Sequence, residues 1–259
     1  MLRLSPIPTL RGWVPVVLVL AALLSWAAAS PAMAATSCPV AASGPLPAEA
    51  QPAPIADPHW QARVDQLDGE IARTNLSQVH MLFLGDSITE AWLPLLFNQF
   101  YGHRGALNLG VRGDNTQGLL WRLERLPLGG TLRPRLVVLL IGTNNLWPGV
   151  NTTNVAEGIY AVIDQIRRLS PGSHILLVGL LPRGAEPNDP FREQLRDVNA
   201  QIARCADGAV TFADPGSMLV DGDGRLSSQI EFDYLHPSWL GYAILAAGLE
   251  PYVRQVMGE

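Results

Sequence analysis

The stretch Val79-His80-Met81-Leu82-Phe83-Leu84-Gly85-Asp86-Ser87-Ile88-Thr89 decides the fold. Five of its first six residues are apolar, and the run stops at a glycine, after which the chain turns polar. Such a run reads as a strand buried on both faces, as in a parallel sheet covered by helices. Ala106-Leu107-Asn108-Leu109 before Gly110, Leu136 to Ile141 before Gly142, and Ile175 to Leu180 before Leu181-Pro182 repeat the pattern. Between them, Val155, Ile159, Val162, Ile163, Ile166 and Leu169 fall on one helical stripe, and Leu195, Val198 and Ile202 on another. The order βαβαβα predicts an α/β protein, a three-layer αβα sandwich with right-handed crossovers. In such folds the ligand site lies at the carboxyl ends of the strands.

Four polar segments gather at those ends. Gly85-Asp86-Ser87-Ile88-Thr89 follows the first strand, Gly110-Val111-Arg112-Gly113-Asp114 the second, and Gly142-Thr143-Asn144-Asn145 the third; Asp233-Tyr234-Leu235-His236 precedes the last helix. A serine hydroxyl is a poor nucleophile at neutral pH and needs a base within hydrogen-bond reach, itself oriented by a third group. Ser87 is the candidate nucleophile, lifted by the turn at Gly85 to the top of the sheet. His236 is the candidate base, and Asp233, three residues earlier, can hold its other ring nitrogen. The chain contains no Lys at all, so a Ser-Lys dyad is impossible and the base must be a histidine. Charge developing on a substrate carbonyl needs preorganised donors, for which the N–H groups of Ser87 and Gly113 and the amide of Asn144 are candidates. Asp86, Arg112, Asn145, Trp147, Arg183 and Trp239 are candidate substrate contacts. Asp86 also reads as the cap of its turn, Arg183 as support for its loop, and Trp239 as packing for the last helix.

The rest of the chain narrows the setting. Arg3 and Arg11 precede an apolar run from Val14 to Ala29, followed by Ala32-Met33-Ala34. That is the layout of a secretory signal peptide over residues 1–34, cleaved after Ala34, the alternative being a retained anchor. The expected location is secreted or periplasmic, with no stable membrane insertion after cleavage. Removing two Arg takes the net charge from −5 to 16 − 23 = −7. With that balance and no stripe of Arg, no nucleic-acid partner is expected. Residues 35–60 hold six prolines among many alanines and read as an extended spacer or a strap on the domain, which then spans 61–259. Outside the cytoplasm Cys38 and Cys205 are a possible disulfide, the alternative being two free thiols. No metal or cofactor is expected: His59, His80, His103 and His174 are scattered without ligand spacing. Asp221-Gly222-Asp223-Gly224 reads as a turn, since Ile230 stands where a calcium loop would need its Glu.

The four polar segments resemble the blocks of the SGNH hydrolases, also called GDSL esterases and lipases. The resemblance implies their flavodoxin-like fold with a central, mostly parallel five-stranded sheet. It also implies the roles already given to Ser87, Gly113, Asn144 and His236, with Asp233 completing a triad. Asn108-Leu109-Gly110-Val111-Arg112-Gly113-Asp114, Leu120-Trp121-Arg122-Leu123 and Gly179-Leu180-Leu181-Pro182-Arg183-Gly184 are similar to the platelet-activating-factor acetylhydrolase catalytic-subunit-like subfamily. The similarity runs from about Val79 to Val256. Arg112 departs from it, standing where that subfamily carries a glycine; so do the longer segment Leu146-Trp147-Pro148-Gly149 and the export signal, since the subfamily is intracellular. The function implied is a secreted serine esterase acting on short acyl esters, such as acetyl esters of lipids or carbohydrates. Two alternatives stand beside it: a longer-chain lipase or thioesterase, and a non-catalytic binding module on the same fold.

Overall fold

The computed structural model describes residues 38–39 and 45–259; the signal and cleavage site expected over 1–34 lie outside the described residues. Five strands form the sheet: β1 Met81–Gly85, β2 Ala106–Asn108, β3 Leu136–Leu140, β4 His174–Val178 and β5 Val210–Ala213. They pair in the order β2-β1-β3-β4-β5, every pair parallel, so the sheet is wholly parallel. β1 and β3 are buried at every residue, which is why their sequences do not alternate. β5 is an edge strand, half-exposed at Thr211 and Phe212, and lacks the continuous aliphatic run that marked the others.

The helices are α1 Pro58–Arg73, α2 Ser87–Glu90, α3 Pro94–Tyr101, α4 Thr116–Leu123, α5 Thr152–Leu169, α6 Pro190–Ile202 and α7 Trp239–Met257. Local chemistry starts most of them. Asp57, Asn115, Asn151, Asp189 and Ser238 each accept a hydrogen bond from a first-turn N–H, and α1, α3 and α6 carry proline in the first turn. α4, α5 and α6 pack side by side in one layer, while α7 packs against α3 and under β3, β4 and β5 in the other. Among the described residues no helix is long and apolar enough to cross a membrane.

The boundary expected at residue 60 falls inside α1. The helix begins at Pro58, and Trp60 is only 1% exposed, because its indole fills a gap beside Trp121 in the core. Upstream, Ala48–Ala50 forms a single 3₁₀ turn against α5. Thr116 Oγ1 donates to the Glu49 carbonyl (2.7 Å), and Ala53 N–H donates to the Gln117 carbonyl (3.1 Å). The approach is close: a Cβ at Gly158 of α5 would lie 2.6 Å from the Glu49 carbonyl oxygen. Cys38 is bonded to Cys205, at the end of the 3₁₀ turn that follows α6.

Candidate active site

β1 ends at Gly85, and the chain turns at once into α2. Asp86 caps that helix, its Oδ1 accepting from Ile88 N–H (2.9 Å), and Ser87 becomes its first residue. Ser87 Oγ therefore stands at the carboxyl end of the central strands, with its own N–H at a helix N-terminus, where anionic charge is favoured.

His236 reaches it from the loop that precedes α7. Ser87 Oγ and His236 Nε2 are 2.9 Å apart, and His236 Nδ1 lies 2.7 Å from Asp233 Oδ2. The other carboxylate oxygen of Asp233 accepts from the backbone N–H groups of Leu235 (3.1 Å) and His236 (2.7 Å), so one side chain shapes the loop and fixes the ring. Burial raises the Asp233 carboxyl, but the hydrogen bonds from His236 and Leu235 and the adjacent imidazole outweigh it and hold the group below its ordinary range. Between them Tyr234 has φ of +58°, a left-handed conformation that costs a non-glycine residue about 1–2 kcal/mol. The loop is pinned there: Tyr234 N–H donates to the Glu231 carbonyl and its own carbonyl accepts from Gly184 N–H.

Gly113 lies on the rim with φ of +76°, and apart from its chain neighbours no atom comes within 4 Å of where its Cβ would be, so that position is open. Asn144 is exposed beside it, one of its amide hydrogens donating to the Asp114 carbonyl (2.7 Å). A cleft of about 550 Å³ opens over Ser87 and His236, lined also by Glu90, Leu93, Arg112, Phe232, Trp239 and Tyr242. Phe232 and Trp239 are 64% and 61% exposed, and the Phe232 ring stacks parallel to the His236 imidazole. A second, more polar cleft of about 800 Å³ shares Glu90 and Arg112 with the first and reaches Gly113, Asp57, His59 and Arg63.

The candidate contacts divide on this geometry. Arg112 and Trp239 line the first cleft. Asn145 does not: it is 2% exposed, its Oδ1 accepts from Thr116 N–H, and its amide donates to Thr116 Oγ1 and Gln117 Oε1, so it locks the start of α4. A buried amide must find such partners within the protein. Asp86 is buried in its capping role, and burial pushes its carboxyl up to about 7. The Arg183 guanidinium lies 3.8 Å from the centre of the Phe191 ring, away from the cleft, supporting its loop. Trp147 is half-exposed on the loop after Asn145, outside both clefts, where its carbonyl accepts from Gln194. Among the described residues no group of three His, Cys, Asp or Glu side chains converges as a metal-ligand set.

Sequence reasoning missed Glu90, Leu93 and Phe232. Glu90 was within reach, three residues past Ser87 on the same helical turn. It also missed Glu231, which is fully buried with neither carboxylate oxygen hydrogen-bonded among the described residues; burial drives its carboxyl up to about 8. Nothing in the spacing distinguishes that residue from a surface glutamate.

Residues 83–244 match the model of the GDSL-like lipase/acylhydrolase family. Platelet-activating factor acetylhydrolase IB subunit alpha1 of Rattus norvegicus is 33% identical over 215 residues, spanning 81% of this chain and 90% of its own length. Among solved structures, a GDSL-like lipase from Bacteroides thetaiotaomicron superposes with a TM-score of 0.59 at 22% identity, covering 75% of this chain and 98% of its own. An acetylxylan esterase from Geobacillus stearothermophilus superposes with a TM-score of 0.52 at 19% identity, covering 69% and 94%. At those identities the two structures speak to the fold alone.

Proposed function

We propose, from the premise that this chain belongs to the GDSL-like lipase/acylhydrolase family and hydrolyses esters, that Ser87, His236 and Asp233 carry out the reaction through an acyl-enzyme. The observation that carries this reading is the unbroken hydrogen-bonded line from Ser87 Oγ through both ring nitrogens of His236 to Asp233 Oδ2. His236 Nε2 takes the Ser87 proton as Oγ attacks the acyl carbon. The oxyanion then accepts hydrogen bonds from Ser87 N–H, Gly113 N–H and the remaining amide hydrogen of Asn144. Collapse breaks the bond to the alcohol oxygen, to which His236 returns the proton; water then releases the acid with the same base. Asp233 orients the imidazole and stabilises it when charged.

Because His236 must reach the leaving oxygen, the alcohol portion lies on the His236 side, in the cleft walled by Phe232 and Trp239. That wall suits an alcohol with a flat or apolar face, whether glycosyl or lipid. The acyl group is short. The relative described as a platelet-activating factor acetylhydrolase subunit favours acetyl. The protein acts outside the cytoplasm, exported by the signal over residues 1–34, in keeping with a disulfide between Cys38 and Cys205.

Turnover of nitrophenyl esters from acetyl to palmitoyl by the mature protein, beside Ser87→Ala, tests the reading. The acetyl ester is expected to turn over fastest, and the variant to lose about 10⁴-fold or more in kcat. Palmitoyl preference replaces this substrate class with the longer-chain lipase, and equal activity in the variant removes Ser87 from the mechanism. An N-terminus at Ala35 on protein from the culture fluid or periplasm is the expected mark of export.

A further inference from the structure

Asp114 follows Gly113 directly and is completely buried. A carboxylate in that position requires partners for both oxygens, and it has them. Oδ1 accepts from Trp60 Nε1 (3.0 Å), while Oδ2 accepts from Arg122 Nε (3.0 Å) and Nη2 (2.6 Å). Its main chain is fixed as well. The Asp114 N–H donates to the Val111 carbonyl (3.1 Å), and the Asp114 carbonyl accepts from Asn144 Nδ2 (2.7 Å). Two of the three candidate oxyanion donors therefore hang on one residue, Gly113 through a peptide bond and Asn144 through a hydrogen bond.

Arg122 reaches Asp114 from α4, on the same side of the fold. Trp60 comes from 54 residues upstream, at the end of the segment that the sequence presents as a spacer or a strap. That segment is seated on the first turn of α4, just after the loop, at several points. Thr116 Oγ1 donates to the Glu49 carbonyl, Ala53 N–H donates to the Gln117 carbonyl, and the Ile55 side chain comes within 3.0 Å of where a Cβ at Gly118 would be. Asp57 in turn accepts from the Trp60 N–H (2.9 Å), and the Trp60 ring packs on Trp121.

We propose that Trp60 is a positioning residue for the oxyanion loop, so that the lead bonded through Cys38 belongs to the catalytic apparatus rather than serving as a tether. This rests on the esterase reading given above. Oxyanion donors act only if held in place before the charge develops. Loosening Asp114 lets Gly113 and Asn144 drift together, which weakens binding of the transition state and leaves binding of the neutral ester unchanged. The consequence is a loss in kcat at constant KM. A residue that merely fills the core behaves differently: its loss lowers the folded fraction and leaves each folded molecule fully active.

The experiment titrates the reactive serine with a fluorophosphonate and reports kcat on nitrophenyl acetate per titrated site. Trp60→Phe keeps an aromatic ring and removes only the indole N–H. Its kcat per site is expected to fall about tenfold, a fraction of the cost of losing an oxyanion donor outright, with KM within about twofold of wild type. Asp57→Ala, which removes the acceptor of the Trp60 N–H without touching Asn144 or Asn145, is expected to lose about threefold, so the test survives if Trp60→Phe does not fold. Unchanged kcat per site in the variants overturns the proposal while the esterase reading stands. A wild-type protein with no turnover overturns both.

Discussion

Asp233 does two jobs with two oxygens, one building its loop and one holding the imidazole. Asp233→Asn should leave the fold intact and lower kcat by about 10³–10⁴, because an amide can present the wrong group to Nδ1 and strand the wrong tautomer. Steady-state kinetics beside circular dichroism checks this, and near-normal kcat would remove Asp233 from the triad. Two neighbouring carboxyls make a prediction about pH. Burial raises Asp86 to about 7 and Glu231 to about 8, far above their unfolded values, so the folded chain keeps protons that the unfolded chain has released. Their contribution to stability is complete below about pH 4 and is lost as pH rises through 7 to 8. Glu231→Gln should therefore match wild type in thermal midpoint at pH 5 and exceed it at pH 9; equal midpoints at both pH values would mean that folding does not raise the Glu231 carboxyl. Ser87, His236 and Asp233 were all readable in the sequence, because each sits in a short segment at a strand end or before the last helix. Asn145 was read as a possible contact, and it is not one. One step of the 3₁₀ turn sends it inward to Thr116, and spacing carries no sign of which of two adjacent amides faces the cleft.

The elements show the same division between continuous and interrupted signals. β1, β3 and β4 announced themselves as aliphatic runs buried on both faces, whereas β5, exposed at the edge and containing Thr211, did not. The lead was legible as a proline-rich spacer or strap, but the places where it is seated were not, since its bonds are made by backbone carbonyls of Glu49 and Gln117 whose identity leaves no mark in composition. Gly158 reports that seating. In an open helix, Gly→Ala stabilises by about 1 kcal/mol. Here the new Cβ would meet the Glu49 carbonyl at 2.6 Å and Thr116 Oγ1 at 2.7 Å, so the sign reverses. Gly158→Ala should lower the urea midpoint, and a raised midpoint would show that the lead does not rest on α5 in solution.

Across the whole molecule, the Cys38–Cys205 bond joins residues 167 apart in sequence and closes the lead onto the domain. Loop-closure entropy of that span is worth about 2–5 kcal/mol, so the double variant Cys38→Ser, Cys205→Ser should unfold at a clearly lower urea concentration; an unchanged midpoint would mean that the bond does not form in the isolated protein. The topology was legible as a parallel α/β sandwich because handed crossovers leave few alternatives once the strands are placed. The clefts were not, since Glu90, Leu93 and Phe232 come together only when α2, the chain leading into α3, and the His236 loop are folded side by side. All of this converges on the claim that one serine, at the top of the central strands, becomes acylated during ester hydrolysis. Intact-mass and peptide analysis of the protein rapidly quenched during turnover of nitrophenyl acetate tests it directly. The account predicts a single added acetyl group on the peptide carrying Ser87, lost on further incubation and absent from Ser87→Ala; an acetyl group on another residue, or turnover persisting in that variant, would contradict it.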